Sequence, residues 1–145
     1  MSIEGTYDSD NIFAKILRGD MPCARVFEAD DVLSFMDVFP QTRGHTLVIP
    51  KAPSRNLLDT DPDVLATLIQ RTQMIAGAVK EALSPDGIQI IQFNGAPAGQ
   101  TVFHLHFHII PSYSGGTMGE HASGQMADMD ALQSLAAQIS DNIKG

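Results

Sequence analysis

The sequence predicts an α+β domain: an antiparallel β-sheet of about five strands, one long helix packed on it, a short N-terminal helix and a C-terminal helix. Three observations carry this. Short apolar runs between Arg25 and Ile110 alternate with turn residues, as strands do. From Asp61 to Leu83, apolar residues recur at three- and four-residue spacing, the mark of a one-sided helix. Around His104, imidazole and apolar side chains alternate strictly, which is the period of a strand with two different faces.

Residues 1–10 are acidic and polar and read as a flexible tail; residues 11–145 read as a single domain. Asp10 or Asn11 can cap a short helix with Ile12, Phe13, Ile16 and Leu17 on its apolar side and Gly19 as its stop. Arg25–Glu28 and Val32–Asp37 read as strands joined by the acidic turn Ala29-Asp30-Asp31. Gln41–Gly44 is a turn, and His45–Ile49 is a strand ended by Pro50. Ser54–Leu58 is a loop or a helical turn. Asp61 then caps the long helix, with Pro62 at the first position, where a missing N–H costs nothing. Val64, Leu65, Leu68, Ile69, Thr72, Ile75, Ala76 and Val79 form the stripe that should cover the sheet.

Ser84-Pro85-Asp86-Gly87 breaks the helix. Ile88–Phe93 is a continuous apolar-rich run, as expected of a central strand. Its hairpin partner is Phe103–Ile110, so Asn94, Gly99, Gln100 and Thr101 should come to one end of the sheet. Ser112–Gln125 is loop-like, and His121 within it reads as an exposed loop histidine. In the last segment, Met126–Ile143, Met129, Leu132, Leu135, Ala136 and Ile139 have helical spacing, with Asp128 or Asp130 near the start.

The chemistry concentrates in His104-Leu105-His106-Phe107-His108. In a strand the three imidazoles share one face, with neighbours roughly 6–7 Å apart, while Leu105, Phe107 and Ile109 point into a core. A row of rings that accept, donate and carry protons near neutral pH reads in two ways. It binds a metal, since neutral imidazole is a common zinc ligand, or it is a nucleophile with supporting histidines. The preceding stretch, Asn94 to Val102, has no carboxylate and offers backbone N–H groups, an amide and a hydroxyl, donors that suit phosphate oxygens. By pattern alone, Asp37 is a strand-end carboxylate and His45 a hydrogen-bonded structural residue.

Bulk properties narrow the class. The chain has 145 residues, 43% of them hydrophobic, and a net charge of −8 with scattered lysines and arginines. That argues against a surface tracking long nucleic acid, but not against a mononucleotide held by local donors. No apolar run approaches the roughly 18–20 residues of a membrane span, and the N-terminus lacks the pattern of a secretory signal. Cys23 is the only cysteine, so an internal disulfide and a cysteine-based zinc cage are both excluded. The cytoplasm is the expected location.

Positions 104–110 fit His-φ-His-φ-His-φ-φ, with φ apolar, and here the chain resembles the histidine triad (HIT) family of nucleotide hydrolases and transferases. Asn11–Leu17, Phe35-Met36-Asp37-Val38-Phe39-Pro40 and Gly44–Lys51 look like the family's other landmarks, in the family's order, over roughly residues 10–112. The resemblance implies a HIT-like nucleotide-binding domain, with Asp37 on the ribose hydroxyls and Val38, Phe35 and Phe13 along a slot for the base. It also implies a homodimer formed through the long helix and joined sheets. Many members hold a structural zinc near the N-terminus. Here Asn11, Ala14 and Pro53 stand where its ligands would be, so no metal and no cofactor is expected.

The activity implied is attack by His106 on the α-phosphorus of a purine ribonucleotide, giving a covalent nucleotidyl-histidine that water releases. Gln100, Thr101 and His108 would donate to phosphoryl oxygens, and His104 and His45 would orient rings and move protons. The opening blocks look closer to the Hint-like phosphoramidase and aminoacyl-adenylate branch than to the Fhit-like dinucleoside polyphosphate branch. A nucleotide-binding sensor without turnover and a three-histidine metal enzyme are the readings from other classes.

Overall fold

The computed structural model describes residues 2–114 and 126–143; His121 and most of the expected 112–125 loop lie outside them. Asn11 caps helix α1 (Ile12–Leu17) by accepting the Ala14 N–H. Strands β1 (Arg25–Glu28), β2 (Val32–Met36) and β3 (Thr46–Pro50) form an antiparallel meander. Helix α2 (Pro62–Leu83) starts at the Asp61 cap and stops at Ser84, which takes left-handed φ. Strands β4 (Gly87–Ile91) and β5 (Phe107–Ser112) follow, and α3 (Met129–Ser140) ends the fold from its Asp128 cap.

The five strands form one antiparallel sheet in the order β1-β2-β3-β5-β4. Side chains alternate across it as the pleat requires. One face carries Val26, Val48, Phe107 and Ile109 against Leu68 and Ile75 of α2 and Leu132 and Ile139 of α3. The other carries Leu33, Phe35, Leu47 and Ile49 against Phe13 of α1. His108 pairs with Leu47 across the β3–β5 ladder, so it shares this second face.

Three expectations change. The triad strand does not begin at Phe103: β5 starts at Phe107, because the Leu105 N–H bonds to the Ser54 carbonyl and not to a neighbouring strand. His104 and His106 therefore sit on the approach to β5, and only His108 lies in the ladder. The strand expected at Ile88–Phe93 is, among the described residues, an edge paired with β5 alone, and Ile90 is 44% exposed. An apolar run signals potential burial, not a neighbour on both sides. Residues 2–7, expected to be a flexible tail, make defined contacts: Arg55 donates to the Ser2 and Ile3 carbonyls, and the Tyr7 hydroxyl meets His104.

Candidate functional site

The α1-side face of the sheet opens into a cavity of about 460 Å³. Its walls are largely apolar: Phe13, Phe35, Val38, Leu47 and Val102, with Met126 and Met129 from the C-terminal segment. Asp37, Thr101, His106 and His108 supply its polar groups. Of the residues singled out by sequence, His45, His104, Asn94, Gly99 and Gln100 stand outside the lining. The half-buried Cys23 also borders the cavity, and burial pushes its thiol pKa up, so it holds its proton at neutral pH.

The histidines form two hydrogen-bonded series, each fixing its tautomers from a backbone anchor. In the first, the Gln41 N–H donates to Nδ1 of His45 at 3.0 Å, so the neutral His45 ring carries its proton on Nε2. That nitrogen lies 2.9 Å from Nδ1 of His108, which must accept, leaving the His108 proton on Nε2. In the second, Nε2 of His104 donates to the Pro50 carbonyl at 2.8 Å. Nδ1 of His106 donates to the His104 carbonyl at 2.7 Å, which puts the lone pair of His106 on Nε2. All four rings are buried. Burial also lowers the His104 pKa, against the smaller opposing effect of the Pro50 bond, and keeps the ring neutral. The His106 ring stands edge-on to Phe13 and to His108, each with centroids 4.9 Å apart.

Asp37 sits at the end of β2, where the chain turns under the cavity. One carboxylate oxygen accepts the Phe39 N–H at 2.8 Å, and the other lies 3.4 Å from Nε2 of His45. Each oxygen has two lone pairs, so acceptor capacity remains toward the cavity. Among the described residues, Asp37, His45 and His108 also form one set whose ligand atoms lie within 4.8 Å of one another. The triad itself does not converge as a metal cage: only His108 belongs to that set.

The loop before the triad departs from the donor role expected for its amide side chains. Gln100 is buried, with Nε2 donating to the Arg55 and Val102 carbonyls and Oε1 accepting the Gly95 N–H. Both of its N–H groups are engaged by backbone carbonyls, one of them in the 54–57 segment, so it shapes the loop and does not reach into the cavity. Asn94 ties the loop to the 54–57 segment by accepting the Leu57 N–H at 3.0 Å. Gly99 has φ +116 and lies against the Phe93 ring, where an added Cβ would come 3.0 Å from ring carbon. Thr101 is exposed at the cavity mouth. Sequence reasoning missed Tyr7 and Arg55, because the partners of both are distant along the chain. Met129 had a legible signal, helical spacing, but it spoke only of packing; Met126, before the helix, had none.

A family model described as HIT domain matches residues 18–115. The adenylylsulfatase HINT3 of Arabidopsis thaliana is 40% identical over 106 residues, which span 73% of this chain and 54% of that protein. The chain thus spans about half the length of that relative. The solved structure of a Hit-like protein involved in cell-cycle regulation from Bartonella henselae superposes with TM-score 0.88 at 48% identity, covering 94% of this chain and 99% of that one. A histidine triad nucleotide-binding protein from Sulfolobus tokodaii gives TM-score 0.83 at 30% identity, covering 90% of each chain.

Proposed function

The chain belongs to the HIT domain family of nucleotide-binding, hydrolase-like proteins, and from that premise we propose that it hydrolyses purine ribonucleotide conjugates at the α-phosphate, with phosphoramidates and aminoacyl-adenylates as the substrate class. The observation that carries this is the tautomer of His106. Its Nδ1–H is bound to a backbone carbonyl at 2.7 Å, so the basic nitrogen is Nε2, on a buried ring that lines the cavity.

Nε2 of His106 attacks the α-phosphorus, an N–P bond forms, and the bond to the leaving amine breaks, the amine taking up a proton from solvent. Water then attacks phosphorus and returns a proton to solvent, the N–P bond breaks, and the nucleotide leaves. His108, held by His45, donates from Nε2 to a phosphoryl oxygen as charge builds there, and Thr101 donates at the cavity mouth. Asp37 accepts from the ribose hydroxyls, and the apolar walls take the base. The chemistry uses no metal. We further propose a homodimer formed at the α2–β4 face, where Ile69 and Ile90 are 46% and 44% exposed beside the edge of β4 that no described strand pairs.

The test is nucleotide release from adenosine 5′-phosphoramidate by wild type and by His106→Ala of confirmed fold. Turnover by wild type and none by the variant is expected. Binding without turnover in both would overturn the reading. The Arabidopsis relative is named an adenylylsulfatase, and adenylyl sulfate also carries its leaving group on the α-phosphorus, so it belongs in the same assay.

A further inference from the structure

The first residues of the chain lie across the back of the candidate site. Nη2 of Arg55 donates to the Ser2 carbonyl at 2.9 Å, and its Nε donates to the Ile3 carbonyl at 3.2 Å. Nδ2 of Asn56 adds a third bond, to the Ile3 carbonyl, at 2.9 Å. Arg55 is only 3% exposed, and its guanidinium sits 4.4 Å from the Phe103 ring centre, one residue before the triad. Ile3 lies flat on Gly95: a Cβ there would come 3.1 Å from its Cγ1 and 3.2 Å from its nitrogen. Ser2 and Ile3 are therefore bound to the two stretches that precede the histidines, and Gly5 lies against the same Arg55 guanidinium.

Its far end reaches the triad. The Tyr7 hydroxyl is 2.6 Å from Nδ1 of His104, with the two rings edge to face. His104 already donates from Nε2 to the Pro50 carbonyl, and a carbonyl only accepts. Nδ1 of the neutral ring is then an acceptor, so the Tyr7 hydroxyl is the donor. A ring held at both nitrogens cannot turn or change tautomer, and the carbonyl of that same residue orients His106.

We propose that residues 2–7 form a strap whose Tyr7 is a positioning residue for His106, acting through His104. The proposal rests on the proposed function, since it assigns Tyr7 to the same reaction. Tyr7 touches no reacting atom: it holds the ring and backbone that hold the nucleophile.

The experiment is Tyr7→Phe, which keeps the aromatic ring and removes the hydroxyl. Two readouts are taken on the full chain: steady-state kinetics with adenosine 5′-phosphoramidate, and histidine 15N shifts of labelled protein. One lost hydrogen bond predicts a fall in kcat of about tenfold, with KM within about twofold because base and ribose contacts are untouched. The His104 Nδ1 resonance should move downfield, toward a ring nitrogen without a donor, and the His106 resonances should broaden or shift with it. An unchanged His104 resonance, or an unchanged kcat beside a moved one, overturns the proposal. If wild type turns over none of the substrates, the hydrolase reading fails by itself. The strap is then decided by the His106 resonances, which must respond to Tyr7→Phe for it to stand.

Discussion

Asp37 and His45 lie side by side at the candidate site, yet the proposed reaction gives them different tasks. His45 donates to His108 and fixes which nitrogen of that ring carries the proton. His45→Leu removes that donor, and kcat should fall about 10²-fold with little change in KM, the loss expected when a proton donor takes the wrong tautomer. Asp37→Asn should instead raise KM about tenfold and narrow the preference for ribonucleotides over their 2′-deoxy analogues, since an amide is a poorer acceptor for two hydroxyls. Steady-state kinetics on both sugars separate the two effects. His104 gives a third expectation. Burial holds its folded pKa below the ordinary value of 6.5, so the unfolded chain takes up this proton first as pH falls. Its effect on stability is absent above about pH 6.5 and grows below it, at most about 1.4 kcal/mol per pH unit for the one ring. Melting midpoints measured downward from pH 7 should therefore decline, and His104→Gln should flatten the slope.

Elements built from local chemistry were legible in the sequence. The Asp61 cap and Pro62 mark the start of α2, and of the two caps legible for α1, Asp10 or Asn11, the structure uses Asn11; each device satisfies N–H groups of its own first turn. Alternation placed Leu105, Phe107 and Ile109 in the core correctly. What failed was contact between distant segments. The bond from Leu105 to Ser54 delays β5, and Gln100 turns inward because Arg55 and Val102 offer carbonyls there. Nothing in Ser54-Arg55-Asn56 announces that this segment joins the N-terminal strap, the 94–100 loop and the triad approach. Gln100→Ala makes that role measurable. It leaves the Gly95 N–H and two carbonyls without their partners, which should cost about 1–3 kcal/mol in denaturant unfolding. Because Gln100 also holds the carbonyl of Val102, which lines the cavity, turnover should fall as well.

At the scale of the whole molecule, the sheet separates two jobs. The face under α2 and α3 is core; the opposite face holds the cavity, with α3 entering from the first side to contribute Met129 at the rim. No helix among the described residues is long and apolar enough to cross a membrane. The family and the sheet-plus-helix architecture were legible because the triad pattern and the long helix are both periodic signals. The position of β4 at the edge was not, since an exposed Ile90 and a buried one read alike in sequence. If β4 and α2 meet their counterparts in a second copy, Ile90→Lys places a charge in that contact. Light scattering should then show the variant shifted from dimer toward monomer at micromolar concentration, with its fold retained.

The central claim is a nucleotide bonded to His106 during turnover, and stereochemistry at phosphorus tests it most directly. Adenosine 5′-phosphoramidate made chiral at phosphorus is hydrolysed in isotopically labelled water, and the configuration of the released nucleotide is read. Two successive in-line displacements, first by His106 and then by water, predict overall retention. Inversion would mean that water attacks the substrate directly, and would contradict the account.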